Sequence, residues 1–130
     1  MAKYAYPAIF TKEGKLYSVI YPDLEGCYTC GDDLYDAIYM AEDVLALTLY
    51  EYEREAKEIP EPSTDLKAPK GSFVNYIACD TLDYHRRNNN RAVKKTLTIP
   101  EWLNEEAMEA GLNFSQILQE ALKIELGIYS

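Results

Sequence analysis

The stretch GDDLYDAIYMAEDVLALTLYEYE, residues 31–53, decides how the first part of this chain folds. Its apolar residues fall at Leu34, Ala37, Ile38, Ala41, Leu45, Leu49 and Tyr52, the i, i+3, i+4, i+7 spacing that gathers one face of an α-helix. Asp33 stands where an N-cap is wanted, and Asp36, three residues on, makes a capping box built from aspartates. Both carboxylates also favour the positive end of the helix dipole. A helix with a single apolar stripe must be covered by something, and the flanking sequence supplies strands.

Upstream, residues 4–10 and 16–21 are β-rich runs around a turn at residues 12–15, where Gly14 tolerates positive φ. Val19 and Tyr21 alternate with Ser18 and Ile20, as a half-buried strand requires. Pro22 and Gly26 break the pairing, and CYTC, residues 27–30, is a third short strand. Downstream, EIPEPSTDLKAPKGS ends the helix with three prolines, and FVNYIACD, residues 73–80, returns as an apolar strand. The order βββαβ, with one long helix on one face of a sheet, makes residues 1–80 an α+β domain.

Residues 81–92, TLDYHRRNNNRA, have few apolar side chains and read as a linker in which His85 is solvated or close to a phosphate. A second module follows over residues 93–130. VKKTLTI alternates as a strand, Pro100 stops it and opens a helix, and Trp102, Leu103, Ala107 and Ala110 lie on one side of that helix. Gly111 sits where a left-handed C-cap belongs. Asn113 caps a last helix whose stripe is Phe114, Ile117, Leu118, Ala121, Leu122 and Leu126.

With 48% hydrophobic residues and twelve tyrosines among 130, the chain can build a core, which excludes wholesale disorder. No apolar run approaches the roughly 18 residues that cross a bilayer, and MAKYAYPAIF lacks the apolar stretch and cleavage site of a secretory signal. A cytoplasmic protein with no membrane partner is expected, and three cysteines, an odd number, fit reduced thiols there. The net charge is -9, unevenly spread. Residues 1–80 carry seven basic and fifteen acidic residues, whereas residues 84–95 carry five basic and none acidic: Arg86, Arg87, Arg91, Lys94 and Lys95. One narrow positive surface between two negative bodies suits a chain that meets a polyanion at one place.

The second module cannot satisfy itself. A lone strand leaves its backbone groups unpaired, and two short amphipathic helices leave stripes that no third element covers. A second copy answers both needs: the strands pair antiparallel about a two-fold axis and four helices surround one core. Such a two-stranded ribbon fits the DNA major groove, about 12 Å wide. VKKTLTIP, AGLNFS and QILQEALKIELG thus resemble the ribbon-helix-helix family over residues 92–130. The resemblance implies that Lys94, Thr96 and Thr98 point outward to contact bases while Val93, Leu97 and Ile99 face inward. Lys95 breaks the parity and is expected to turn out toward a phosphate. Asn113, Phe114 and Ser115, at the start of the last helix, are implied to grip phosphate, and Arg86, Arg87 and Arg91 are expected to reach only the DNA backbone.

The first eighty residues carry a second resemblance. YPAIF, EGKLYSVIYPDLEGCYTCGDDLYDAIYMAEDVL and IPEPS, within residues 4–63, are similar to antitoxins of the HicA-HicB toxin-antitoxin system. That family implies a partial ribonuclease-H-like N-terminal domain that holds a small basic mRNA-cleaving toxin, and a C-terminal DNA-binding module that represses the operon. A net charge of -8 over residues 1–80 suits a partner that grips RNA phosphates. The acidic loop YPDLEG with Asp23, Leu24 and Glu25, together with Asp32 and Asp33, is the expected toxin contact. Homodimers are expected through the second module, with tetramers through the first domain left open.

Catalysis is not expected, nor is a cofactor. Asp23, Glu25, Asp32, Asp33, Asp36, Asp65 and Asp80 include capping residues and show no ordered catalytic spacing. Cys27 and Cys30 form a CxxC, but residues three apart on a strand face opposite sides and no second pair completes a zinc site. The alternative is a stand-alone repressor whose N-terminal domain senses a ligand.

Overall fold

A computed structural model describes residues 1–128. The last two residues of the module expected over residues 93–130, Tyr129 and Ser130, lie outside the described residues. The chain divides into two compact units, Met1–Arg91 and a second that begins at Ala92.

In the first unit β1 (Lys3–Glu13) and β2 (Leu16–Ile20) form the hairpin read from the sequence, with Gly14 at φ +67° in its turn. β3 (Tyr28–Gly31) pairs with β2 and β4 (Ser72–Asp80) with β1, giving an antiparallel sheet of order β3-β2-β1-β4. The long helix α1 (Leu34–Arg54) packs on it. Tyr6, Ala8, Phe10, Val19 and Ile77 meet Ala37, Ala41, Leu45 and Leu49 in one core. The apolar stripe of residues 31–53 is the face of α1 turned to the core from Ala37 to Tyr52, with Ile38 and Tyr52 partly buried, whereas Leu34, in the first turn, stays exposed.

Two local features fix how α1 joins the sheet. A Cβ on Gly31 would collide with the backbone of Ala37, so only glycine lets β3 run this close to the first turn of α1. Asp33 Oδ1 accepts from Asp36 N at 2.7 Å, and Asp36 Oδ2 accepts from Asp32 N at 2.9 Å. The reciprocal cap thus reaches back one residue further than the capping box read from the sequence. At the other end Ala56 adopts φ +53°, a left-handed position usually held by glycine, while Ala56 N and Lys57 N donate to Glu53 O and Tyr52 O at 3.2 and 2.9 Å.

Residues 81–92, read above as linker throughout, begin with a helix, α2 (Thr81–Asn88). Asp80 caps it, its Oδ1 accepting from Leu82 N at 3.0 Å and Asp83 N at 3.3 Å. Thr81 is fully buried, and its hydroxyl donates to Glu53 Oε2 at 3.0 Å. His85 is half-buried rather than solvated: its Nδ1 lies 2.9 Å from Tyr50 Oη, and Tyr84 and His85 both pack on the Tyr50 ring. These contacts on α1 outweigh the polar composition that suggested a linker.

The second unit contains α3 (Glu101–Glu109) and α4 (Phe114–Glu125). Gly111 takes φ +69° as expected, with Gly111 N and Leu112 N closing the turn on Met108 O and Ala107 O. Asn113 Oδ1 accepts from Gln116 N at 3.0 Å and caps α4. Residues 93–99 form no strand within the single chain, because a ladder needs a second strand and this unit has none among its described residues. None of the unit's described residues is buried.

Candidate functional site

The basic segment falls across both units: Arg86, Arg87 and Arg91 belong to the first, Lys94 and Lys95 to the second. Arg86 and Arg87 sit on the last turn of α2, where positive charge complements the negative end of the helix dipole. Arg87 Nε pairs with Asp83 Oδ2 at 3.0 Å, an i, i+4 bridge with both side chains largely exposed, so solvent screens it strongly. Arg91, Lys94, Lys95, Thr96 and Thr98 are all exposed. Val93, Leu97 and Ile99, the alternate positions, are 79%, 63% and 50% exposed, which leaves the inward-reading parity uncovered in one chain. At the start of α4, Phe114 is exposed and Ser115 Oγ accepts from Gln119 Nε2 at 3.2 Å.

The acidic loop read as a toxin contact needs correction. Leu24 is 2% exposed and part of the core. The loop folds back on itself, with Leu24 N donating to Tyr21 O at 3.1 Å and Cys27 N to Leu24 O at 3.2 Å, and this draws its one apolar side chain inward. Leu24 therefore holds the loop and is not available to a partner. Asp23 is half-buried: its carboxylate accepts from Ser63 N at 2.8 Å and from Ser63 Oγ at 2.5 Å. Tyr6 Oη donates to Pro60 O, and Tyr76 Oη to Ser63 O at 2.8 Å. The IPEPS segment is thus strapped to the sheet, and Asp23 is one of its fastenings. Glu25, Asp32 and Asp33 remain exposed, although Asp33 also caps α1.

Two more of the carboxylates weighed for catalysis have local tasks, Asp36 in the α1 cap and Asp80 in the α2 cap, while Asp65 is exposed. Cys27 is buried and Cys30 exposed, so the CxxC thiols do face apart. Burial pushes the Cys27 thiol up, against a small opposing effect of its hydrogen bond from Thr48. No helix of the described residues is long and apolar enough to cross a membrane.

A four-stranded antiparallel sheet with helices in the first unit and two helices in the second define an α+β protein. A sequence profile described as the HicB-like antitoxin of bacterial toxin-antitoxin systems matches residues 6–121, and the chain belongs to that family. It is 27% identical over 100 residues to Antitoxin HicB 2 of Photorhabdus laumondii subsp. laumondii, across 74% of this chain and 72% of that protein. Among solved structures it is similar to a toxin-antitoxin complex from Streptococcus pneumoniae, with 27% identity, a TM-score of 0.59, and 95% and 99% of the two chains covered. It also shares its fold with the Antitoxin HicB3 crystal structure, at 23% identity, a TM-score of 0.51, and 94% and 97% coverage.

Proposed function

We propose that the chain is an antitoxin that holds a basic, RNA-cleaving HicA-type toxin inactive through its first unit and represses its own operon by binding operator double-stranded DNA through its second. The observation that carries this reading is the family match over residues 6–121, which runs through both units. In this reading the first unit is a partial ribonuclease-H-like domain that has kept the sheet and helix without a catalytic role. The second is a ribbon-helix-helix module whose residues 93–99 pair with those of a second copy. The uncovered apolar residues of α3 and α4 support obligate homodimerisation, because 39 residues of chain cannot shield them alone.

On DNA, Lys94 donates to guanine O6 or N7, and the Thr96 and Thr98 hydroxyls meet base edges while their methyls touch thymine. Arg86, Arg87, Arg91 and Lys95, with the α4 N-terminus at Asn113, Phe114 and Ser115, contact phosphate. The two classes separate in a binding experiment with operator and random DNA at several salt concentrations. Thr96→Ala is expected to cost about 1–3 kcal/mol on operator alone. Arg91→Ala is expected to weaken both DNAs alike and to flatten the salt dependence by about one unit of slope. Equal loss of sequence preference in both variants, or in neither, rejects the assignment.

A further inference from the structure

The first unit contains a cleft of about 230 Å³ whose walls come from three elements: Tyr39, Glu42 and Asp43 of α1, Asp80 of β4, and Asp83 and Arg87 of α2. Three of its lining residues, Ala46, Ala78 and Cys79, have small side chains, which leaves room for a hollow. Four carboxylates face one guanidinium, and that guanidinium is paired with Asp83. Asp80 is engaged at the α2 cap, whereas Glu42 and Asp43 have no hydrogen-bond or ion-pair partner among the described side chains.

Cleft carboxylates add to the effect of burial on two neighbouring groups, while Arg87 opposes it at Tyr84. The Cys79 thiol is pushed up to about 12, first by burial and then by Asp80, Glu53 and Glu42. The Tyr84 hydroxyl is raised by burial and then by Asp43 and Glu51. Tyr35 precedes Tyr39, Glu42, Asp43 and Ala46 on the same stripe of α1, and the two tyrosines are 82% and 58% exposed. Exposed tyrosines at i and i+4 beside a charged hollow are unlike an ordinary solvated helix face: tyrosine is enriched at interface anchor points, and its ring can lie against a cation.

We propose that this cleft is the docking point for the basic toxin and takes one of its lysine or arginine side chains, with Tyr35 and Tyr39 framing the entrance. The inference rests on the antitoxin reading and deepens it, moving the contact from the loop at residues 21–26 with Asp32 and Asp33 to the outer side of α1. The occupant is cationic because the hollow offers carboxylate acceptors whose own cation is already engaged; a nucleic acid would be repelled by the same groups. Arg87 is a competitor inside the cleft, so its removal should help the partner's cation.

The test is a titration of the intact chain with its cognate toxin, separated from the complex in denaturant and refolded, at 0.15 M and higher salt. The double variant Glu42→Gln/Asp43→Asn is expected to weaken binding about tenfold or more, an effect that shrinks as salt rises. Arg87→Gln is expected to tighten binding by about threefold, a change of sign that a merely structural role for these residues would not produce. Glu58→Gln/Glu61→Gln, which changes net charge equally at exposed residues outside the cleft, controls for long-range attraction. A wild-type complex whose affinity falls equally in the cleft and control variants, or in neither, overturns the inference and leaves the antitoxin reading standing. A wild-type chain that forms no complex overturns both.

Discussion

Replacing Leu122 with Asp separates a self-sufficient second unit from one completed by a second copy. In the single chain Leu122 is 53% exposed, with Ile117 at 45%, Leu126 at 73% and Trp102 at 62% on the same unit. A carboxylate on so open a side chain would change the stability of an isolated unit by about 0.5 kcal/mol or less. In a two-fold dimer that joins these stripes, each copy instead brings an unpaired carboxylate into the shared core, at about 3 kcal/mol apiece. Two of them cost about 6 kcal/mol per dimer, which raises the dissociation constant about ten-thousandfold. Sedimentation velocity over a dilution series reads this directly, with circular dichroism following the helices and Leu122→Met as the apolar control. A Leu122→Asp chain that stays dimeric at the wild-type concentrations would show that the stripes of α3 and α4 do not form the interface.

Three further outcomes follow from the first unit. Ala56→Gly is expected to stabilise the protein by about 1 kcal/mol in a denaturant titration, because φ +53° places a Cβ where only glycine is at ease; a loss of stability would mean that the left-handed turn is not populated. Asp23→Ala should destabilise by about 1–3 kcal/mol and Ser63→Ala by less, and the double variant by little more than Asp23→Ala alone, since Asp23→Ala removes both hydrogen bonds whereas Ser63→Ala removes only the hydroxyl one and keeps the backbone N–H; strict additivity would refute the strap. The Cys79 thiol is raised from 9.0 to about 12 in the folded chain, so its contribution is complete below pH 9 and is lost as pH climbs toward 12. Wild-type stability should therefore fall over that window more steeply than that of Cys79→Ala, and identical slopes would contradict the burial.

The sequence was most legible where the deciding contacts are local. The hairpin, the third strand, the long helix with its aspartate cap, the closing strand and the Gly111–Asn113 turn all follow from residues within a turn or two of one another. What it concealed depends on distant partners. α2 has a readable cap in Asp80, but what holds it is Tyr84 and His85 against Tyr50, more than thirty residues earlier. Asp23 read as a surface charge because Ser63, forty residues away, is invisible to periodicity. Leu24, a single apolar residue between charges, carries no pattern that could announce its burial. The cleft is illegible for the same reason, since its walls come from α1, β4 and α2. Residues 93–99 have the alternation of a strand but find no partner among the described residues of the single chain.

In the proposed function an acidic sheet-and-helix unit neutralises a basic RNA-cleaving toxin. This neutralisation is tested most directly by the rate at which the cognate toxin degrades a defined RNA as intact chain is added, in magnesium-containing buffer near physiological salt. Cleavage is expected to fall in proportion to added chain and to cease near equal molar amounts, while the chain alone leaves the RNA intact. Undiminished cleavage at a large molar excess of folded chain would contradict the proposed function.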